Sequence, residues 1–96
     1  MMAIGMILAA NLVLRPMHMS GKGFVFKASE IPSAFVLDEW SFTILTALGE
    51  MTRQEILENL AEDAENSAER DEVRHGLDKT LEHLHGMGLV EGSLGT

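Results

Sequence analysis

An α+β domain, with a three-stranded antiparallel sheet followed by three helices, is the fold class this sequence predicts, and three observations carry it. Up to about Leu37 the chain consists of short apolar, β-compatible runs separated by Gly, Pro and Ser turns. Beyond Leu37 apolar residues recur at steps of three and four, and capping residues mark where each helix starts and stops. At 96 residues the chain has room for one core only, so both halves belong to a single domain over residues 1–96.

Ile7 to Leu14 reads as the first strand, ended by Pro16 because proline has no N–H to give a ladder. Ser20-Gly21-Lys22-Gly23 supplies a turn. Phe24 to Ala28 forms the second strand, with Phe24 and Phe26 on one face. Ile31-Pro32-Ser33 turns the chain again into a third strand, Ala34 to Leu37, in which Phe35 and Leu37 face one side and Ala34 and Val36 the other. For Met1 to Met6 two readings stand level, an ordered edge strand and a frayed start.

Asp38 is the expected N-cap of the first helix. Trp40, Ile44, Leu45 and Leu48 follow at helical spacing, and Gly49 sits where a left-handed C-cap residue belongs. Thr52-Arg53-Gln54-Glu55 fits a capping box, opening a second helix that turns Ile56, Leu57 and Leu60 inward. Its acidic run, Glu55, Glu58, Glu62, Asp63 and Glu65, reads as a solvated surface. Asn66-Ser67 caps the third and longest helix, about Ala68 to His85, whose core stripe is Val73, Leu77, Leu81 and Leu84. Arg70 and Arg74 border that stripe, available either for surface ion pairs with Asp71, Glu72 or Asp78 or for a ligand. Gly86-Met87-Gly88 stops the helix, and Leu89-Val90 returns to the core. The order of these elements is winged-helix-turn-helix-like, a fold that supports many functions.

Composition narrows the choice. A formal net charge of −8 repels phosphate backbones and anionic lipid. The absence of cysteine excludes a disulfide framework, a thiol nucleophile and a zinc ribbon, and nothing demands an oxidising compartment. Met1 to Leu14 is apolar apart from Asn11, but Arg15 follows the run instead of preceding it, and the run falls short of the ~20 residues a spanning helix needs. The chain is therefore expected in the cytoplasm, away from membrane.

No catalytic constellation emerges, and no enzyme is expected. His18, His75, His83 and His85 include no pair at the four-residue spacing of a helical zinc site, and His83 and His85 point about 160° apart, so no metal is expected. The serines are capping or turn residues. Ser20-Gly21-Lys22-Gly23 lacks the spacing of a phosphate loop, and the carboxylates of Glu55 to Glu72 have no apolar pocket to raise their pKa. Nucleic-acid binding is the reflex reading of this architecture, but from Ala68 to His85 Arg70, Arg74 and Lys79 stand against five carboxylates. A DNA-binding transcriptional regulator remains the alternative.

Phe35-Val36-Leu37-Asp38, Ser41, Ile44-Leu45, Gly49-Glu50-Met51-Thr52, Glu55-Ile56 and Gly88-Leu89-Val90 occur here in the order and spacing of a PqqD-like domain. The resemblance covers roughly Gly23 to Glu91. The chain departs from the family pattern at Trp40-Ser41, where a Thr-Ala-like pair is usual, and at the Ile31-Pro32-Ser33 turn. Val13-Leu14-Arg15-Pro16 with Gly23-Phe24-Val25-Phe26 is similar to the mycofactocin-associated branch, while the lasso-peptide and pyrroloquinoline quinone branches stay open.

The resemblance implies a RiPP recognition element: a non-catalytic peptide chaperone, without cofactor, that binds the leader of a ribosomally made precursor peptide. It would present that peptide to a modifying enzyme, often a radical S-adenosylmethionine (radical SAM) protein. In such domains the leader adds as a strand beside the third strand, walled by the third helix. Carried onto this chain, the peptide-binding residues are Ala34, Phe35, Val36 and Leu37 with Arg70, Arg74, Leu77 and Leu81, the arginines meeting acidic leader residues. Core packing competes for Phe35 and Leu37. An unpaired third strand also permits a homodimer.

Overall fold

The structure is a computed structural model that describes residues 7–17 and 20–92; Met1 to Met6 and His18 lie outside the described residues. Its elements are β1 (Ile7–Leu8), β2 (Leu12–Pro16), β3 (Gly23–Lys27), β4 (Ser33–Leu37), α1 (Glu39–Leu48), α2 (Arg53–Leu60), α3 (Ser67–Gly86) and β5 (Val90–Glu91). The expected α+β class, sheet first and helices after, is what the chain forms. β2, β3 and β4 make an antiparallel meander in that spatial order, and β1 pairs with β5 in a separate two-stranded sheet.

One expected strand divides into two. Ile7 to Leu14 breaks at Asn11, whose φ of 63° places it in the left-handed region that Asn tolerates better than other side chains. The turn sends β1 to β5, with Leu8 opposite Val90, and β2 to β3, with Val13 opposite Phe26. Pro16 is the last paired residue of β2, opposite Gly23. Since β2 is a sheet edge, a missing N–H is tolerated there.

The meander has two unlike faces. Gly23, Val25, Phe35 and Leu37 share the inner face, where Val25 is fully buried and Leu37 nearly so. Phe24, Phe26, Ala34 and Val36 share the outer one. Against the inner face pack Ile44, Leu45 and Leu48 of α1, Ile56 and Leu57 of α2, and Leu77, Leu81 and Leu84 of α3, closed below by Leu89 and Val90. Gly23 is required by this packing: a Cβ there would lie 1.8 Å from the Phe42 ring.

Helix ends follow the sequence signals with one exception. Asp38 accepts from the Ser41 N–H at 2.7 Å, and Thr52 and Glu55 form both bonds of the capping box. Gly49 is right-handed, at φ −71°, instead of the expected left-handed C-cap, and its N–H closes a tight turn onto the Thr46 carbonyl. Its small size serves packing, because a Cβ would lie 2.9 Å from Leu8 of β1. The left-handed glycine is Gly88, at φ 79°. It ends α3 in a Schellman motif, with the Leu89 N–H bonded to the Leu84 carbonyl and the Gly88 N–H to that of His85.

Candidate functional site

β4 is the feature most open to a partner. It is a terminal strand of the meander, and among the described residues no strand pairs with its outer edge. Exposed edges usually carry a charge, a proline or a bulge that discourages pairing. The opposite edge, β2, has Arg15 and Pro16; β4 is Ser33-Ala34-Phe35-Val36-Leu37, without charge or proline. Its ladder to β3 runs unbroken from Lys27–Ser33 to Gly23–Leu37, so the strand is held in register. Val36 is 59% exposed and Ala34 exposed, Phe35 is half-buried and Leu37 buried. The backbone edge is thus accessible while two of its side chains anchor the strand to the core.

Three residues beyond β4, Trp40 lies on the first turn of α1 and is 42% exposed. The indole N–H donates to the Thr80 hydroxyl at 2.7 Å, and that hydroxyl donates in turn to the Gly76 carbonyl at 2.9 Å. Through these two bonds the start of α1 is fixed to the middle of α3. Between them and the end of α2 opens a recess of about 290 Å³, lined by Trp40, Leu60, Glu72, Val73 and Gly76. The lining is apolar except for Glu72. Gly76 forms a gap in the wall, since a Cβ there would meet no atom within 4 Å. A glycine inside a helix costs about 1 kcal/mol relative to alanine, and among the described residues no close contact explains it.

The expected site residues fall into separate groups. Ala34 and Val36 lie open on β4. Leu77 and Leu81 are fully buried core residues, so neither presents surface to a peptide. Arg74 is exposed and pairs with Asp71 at 2.5 Å; Arg70 is exposed, and Asp78 is bound by Arg53 of α2 instead. At 100° per residue Arg74 lies about 160° around α3 from Gly76, and Arg70 about 120°. The arginines therefore do not share the side of α3 that lines the recess and meets Trp40. Both arginines border Leu81, on one shoulder of the apolar stripe. Val73, Gly76 and Thr80 occupy the shoulder tied to Trp40. The sequence signal for it was a glycine in the interior of a long helix together with a lone tryptophan at a helix start.

The electrostatics around β4 are mild. Asp38, next after the strand, has its pKa held below the ordinary 3.8 by the Ser41 N–H and hydroxyl; slight desolvation acts in the opposite direction, and His83 and Lys22 add smaller attractions. Among the described residues no cluster of three or more metal-ligating side chains forms, and no helix is long and apolar enough to cross a membrane. Comparison of the chain with protein-family models, with curated proteins and with solved structures finds no match in any of the three.

Proposed function

We propose that this chain is a non-catalytic peptide-binding domain that captures the leader of a ribosomally made precursor peptide by strand addition to β4 and hands it to a modifying enzyme. The observation that carries the reading is the unprotected edge of β4. Such an edge supplies main-chain donors and acceptors to any extended peptide, and alternate side chains of the added strand supply selectivity. Side chains directed to the inner face would point toward the helical layer. Those on the outer face would lie beside Ala34 and Val36.

The PqqD-like spacing of Leu37-Asp38, Ile44-Leu45, Thr52, Glu55-Ile56 and Gly88-Leu89-Val90 supports the same reading, since each of these residues holds a cap, a core position or the final turn. The partner would be a peptide-modifying enzyme, of which radical SAM proteins are one kind, and the compartment the cytoplasm, where precursor peptides are made. The test is an amide titration of the labelled protein with the leader of a peptide encoded beside it. Shifts concentrated on residues 34–37 are expected. Silence with every neighbouring peptide, with shifts on α3 on adding duplex DNA, would replace the reading by that of a DNA-binding regulator.

A further inference from the structure

We infer that the recess at Gly76 is a receptor for one large apolar side chain, aromatic by preference, whose neighbour in the peptide is basic. For its biological occupant the inference rests on the reading of β4 as a peptide-binding edge. Its own support is local. A volume of about 290 Å³ lies at the lower limit of small-molecule sites, suited to a single side chain rather than a cofactor. The walls supplied by Leu60, Val73 and the Trp40 indole are apolar, and an aromatic ring can pair with the indole. Trp40 is held in place by Thr80 before any ligand arrives, so little ordering is needed on binding.

Gly76 sets the size of what enters. The missing Cβ leaves open space in mid-helix, where alanine would make the better helix and would clash with nothing. Among the described residues nothing packs against this position, and it lines the recess where a ligand would be admitted. Glu72 supplies the charge preference: it lines the recess, and among the described residues no Lys or Arg pairs with it. A cation beside the inserted side chain would meet that carboxylate.

The probes are blocked dipeptides, too short to add a strand: N-acetyl-Phe-Lys-amide, N-acetyl-Ala-Lys-amide and N-acetyl-Phe-Glu-amide. Trp40 is the single tryptophan, so its fluorescence and indole N–H resonance report on the recess directly. The Phe-Lys probe is expected to give saturable shifts at Trp40, Val73 and Gly76, with the Ala-Lys probe at least about tenfold weaker. Gly76→Ala should weaken the Phe-Lys response while raising Tm, a result that a folding defect cannot mimic. Glu72→Gln should abolish the preference for Phe-Lys over Phe-Glu. No saturable response at Trp40, or a response undiminished in Gly76→Ala, overturns the inference. Leader-induced shifts on residues 34–37 are read separately, so failure of the recess and failure of strand capture are distinguishable.

Discussion

Gly23 and Gly76 show how differently one residue type can be constrained in the same small domain. At Gly23 a Cβ would enter the Phe42 ring, so Gly23→Ala must displace either that ring or β3 from its ladder with Leu37 and Pro16. A loss of about 1 to 3 kcal/mol is expected, as for other overpacked cores, and thermal unfolding would measure it. Asp38 is constrained by a hydrogen bond instead. Asp38→Ala should cost about 1 kcal/mol as a lost N-cap, whereas Asp38→Asn keeps an acceptor for the Ser41 N–H. Because the folded pKa of Asp38 lies below its ordinary 3.8, its ionisation stabilises the fold above that value. That contribution fades as pH falls through the folded pKa. The Tm difference between the wild type and Asp38→Asn should therefore be constant near neutrality and shrink on acidification below about pH 4; a difference independent of pH would show that the carboxylate charge adds nothing to the cap.

At the scale of elements, legibility followed how local the deciding interaction is. α2 and the start of α1 were legible because Thr52-Glu55 and Asp38-Ser41 form caps within four residues of chain. The break between β1 and β2 was written in Asn11, the one polar residue of its run, yet its direction depended on β5, some eighty residues distant. Gly49 was misassigned for the same reason, since β1 reaches it only through the tertiary fold. Lys27 is a further contact of this long-range kind. It lies on the inner face at the end of β3 and donates to the Gly88 carbonyl at 2.7 Å, tying the sheet to the turn that ends α3. Lys27→Met keeps the apolar stem and leaves that carbonyl without its charged donor. A loss of about 1 to 2 kcal/mol is expected, with faster amide exchange at Leu89 and Val90 as the local readout. For β4, Val36→Glu places a charge on the unprotected edge while altering a side chain already 59% exposed. Stability should change by less than about 0.5 kcal/mol, while leader affinity falls by roughly tenfold for an acidic leader strand.

Across the whole molecule the charges are unevenly divided. Residues 1–37 carry Arg15, Lys22 and Lys27 against Glu30, while all fourteen remaining carboxylates lie beyond Leu37 with only four Lys and Arg, giving +2 and −10 within the total of −8. The sheet is therefore the half that an acidic or neutral chain can approach, and β4 is its unprotected edge. The same edge is open to a second copy of the protein, through antiparallel pairing of two β4 strands, but that arrangement brings two helical halves of −10 into one particle. Self-association should therefore be weak at low ionic strength and strengthen as salt screens the repulsion. Leader capture through main-chain bonds and apolar contacts should change little, by less than about threefold between 50 and 200 mM salt, where a DNA complex with six to ten phosphate contacts loses about 10³ to 10⁵. Sedimentation across that salt range, with and without leader, joins the two expectations: leader should dissolve any dimer that salt promotes, because both occupy the same backbone groups of residues 33–37. A dimer that persists at saturating leader would place self-association elsewhere on the surface, and the outer sheet face with Val13, Phe24 and Val36 would then be the first place to substitute.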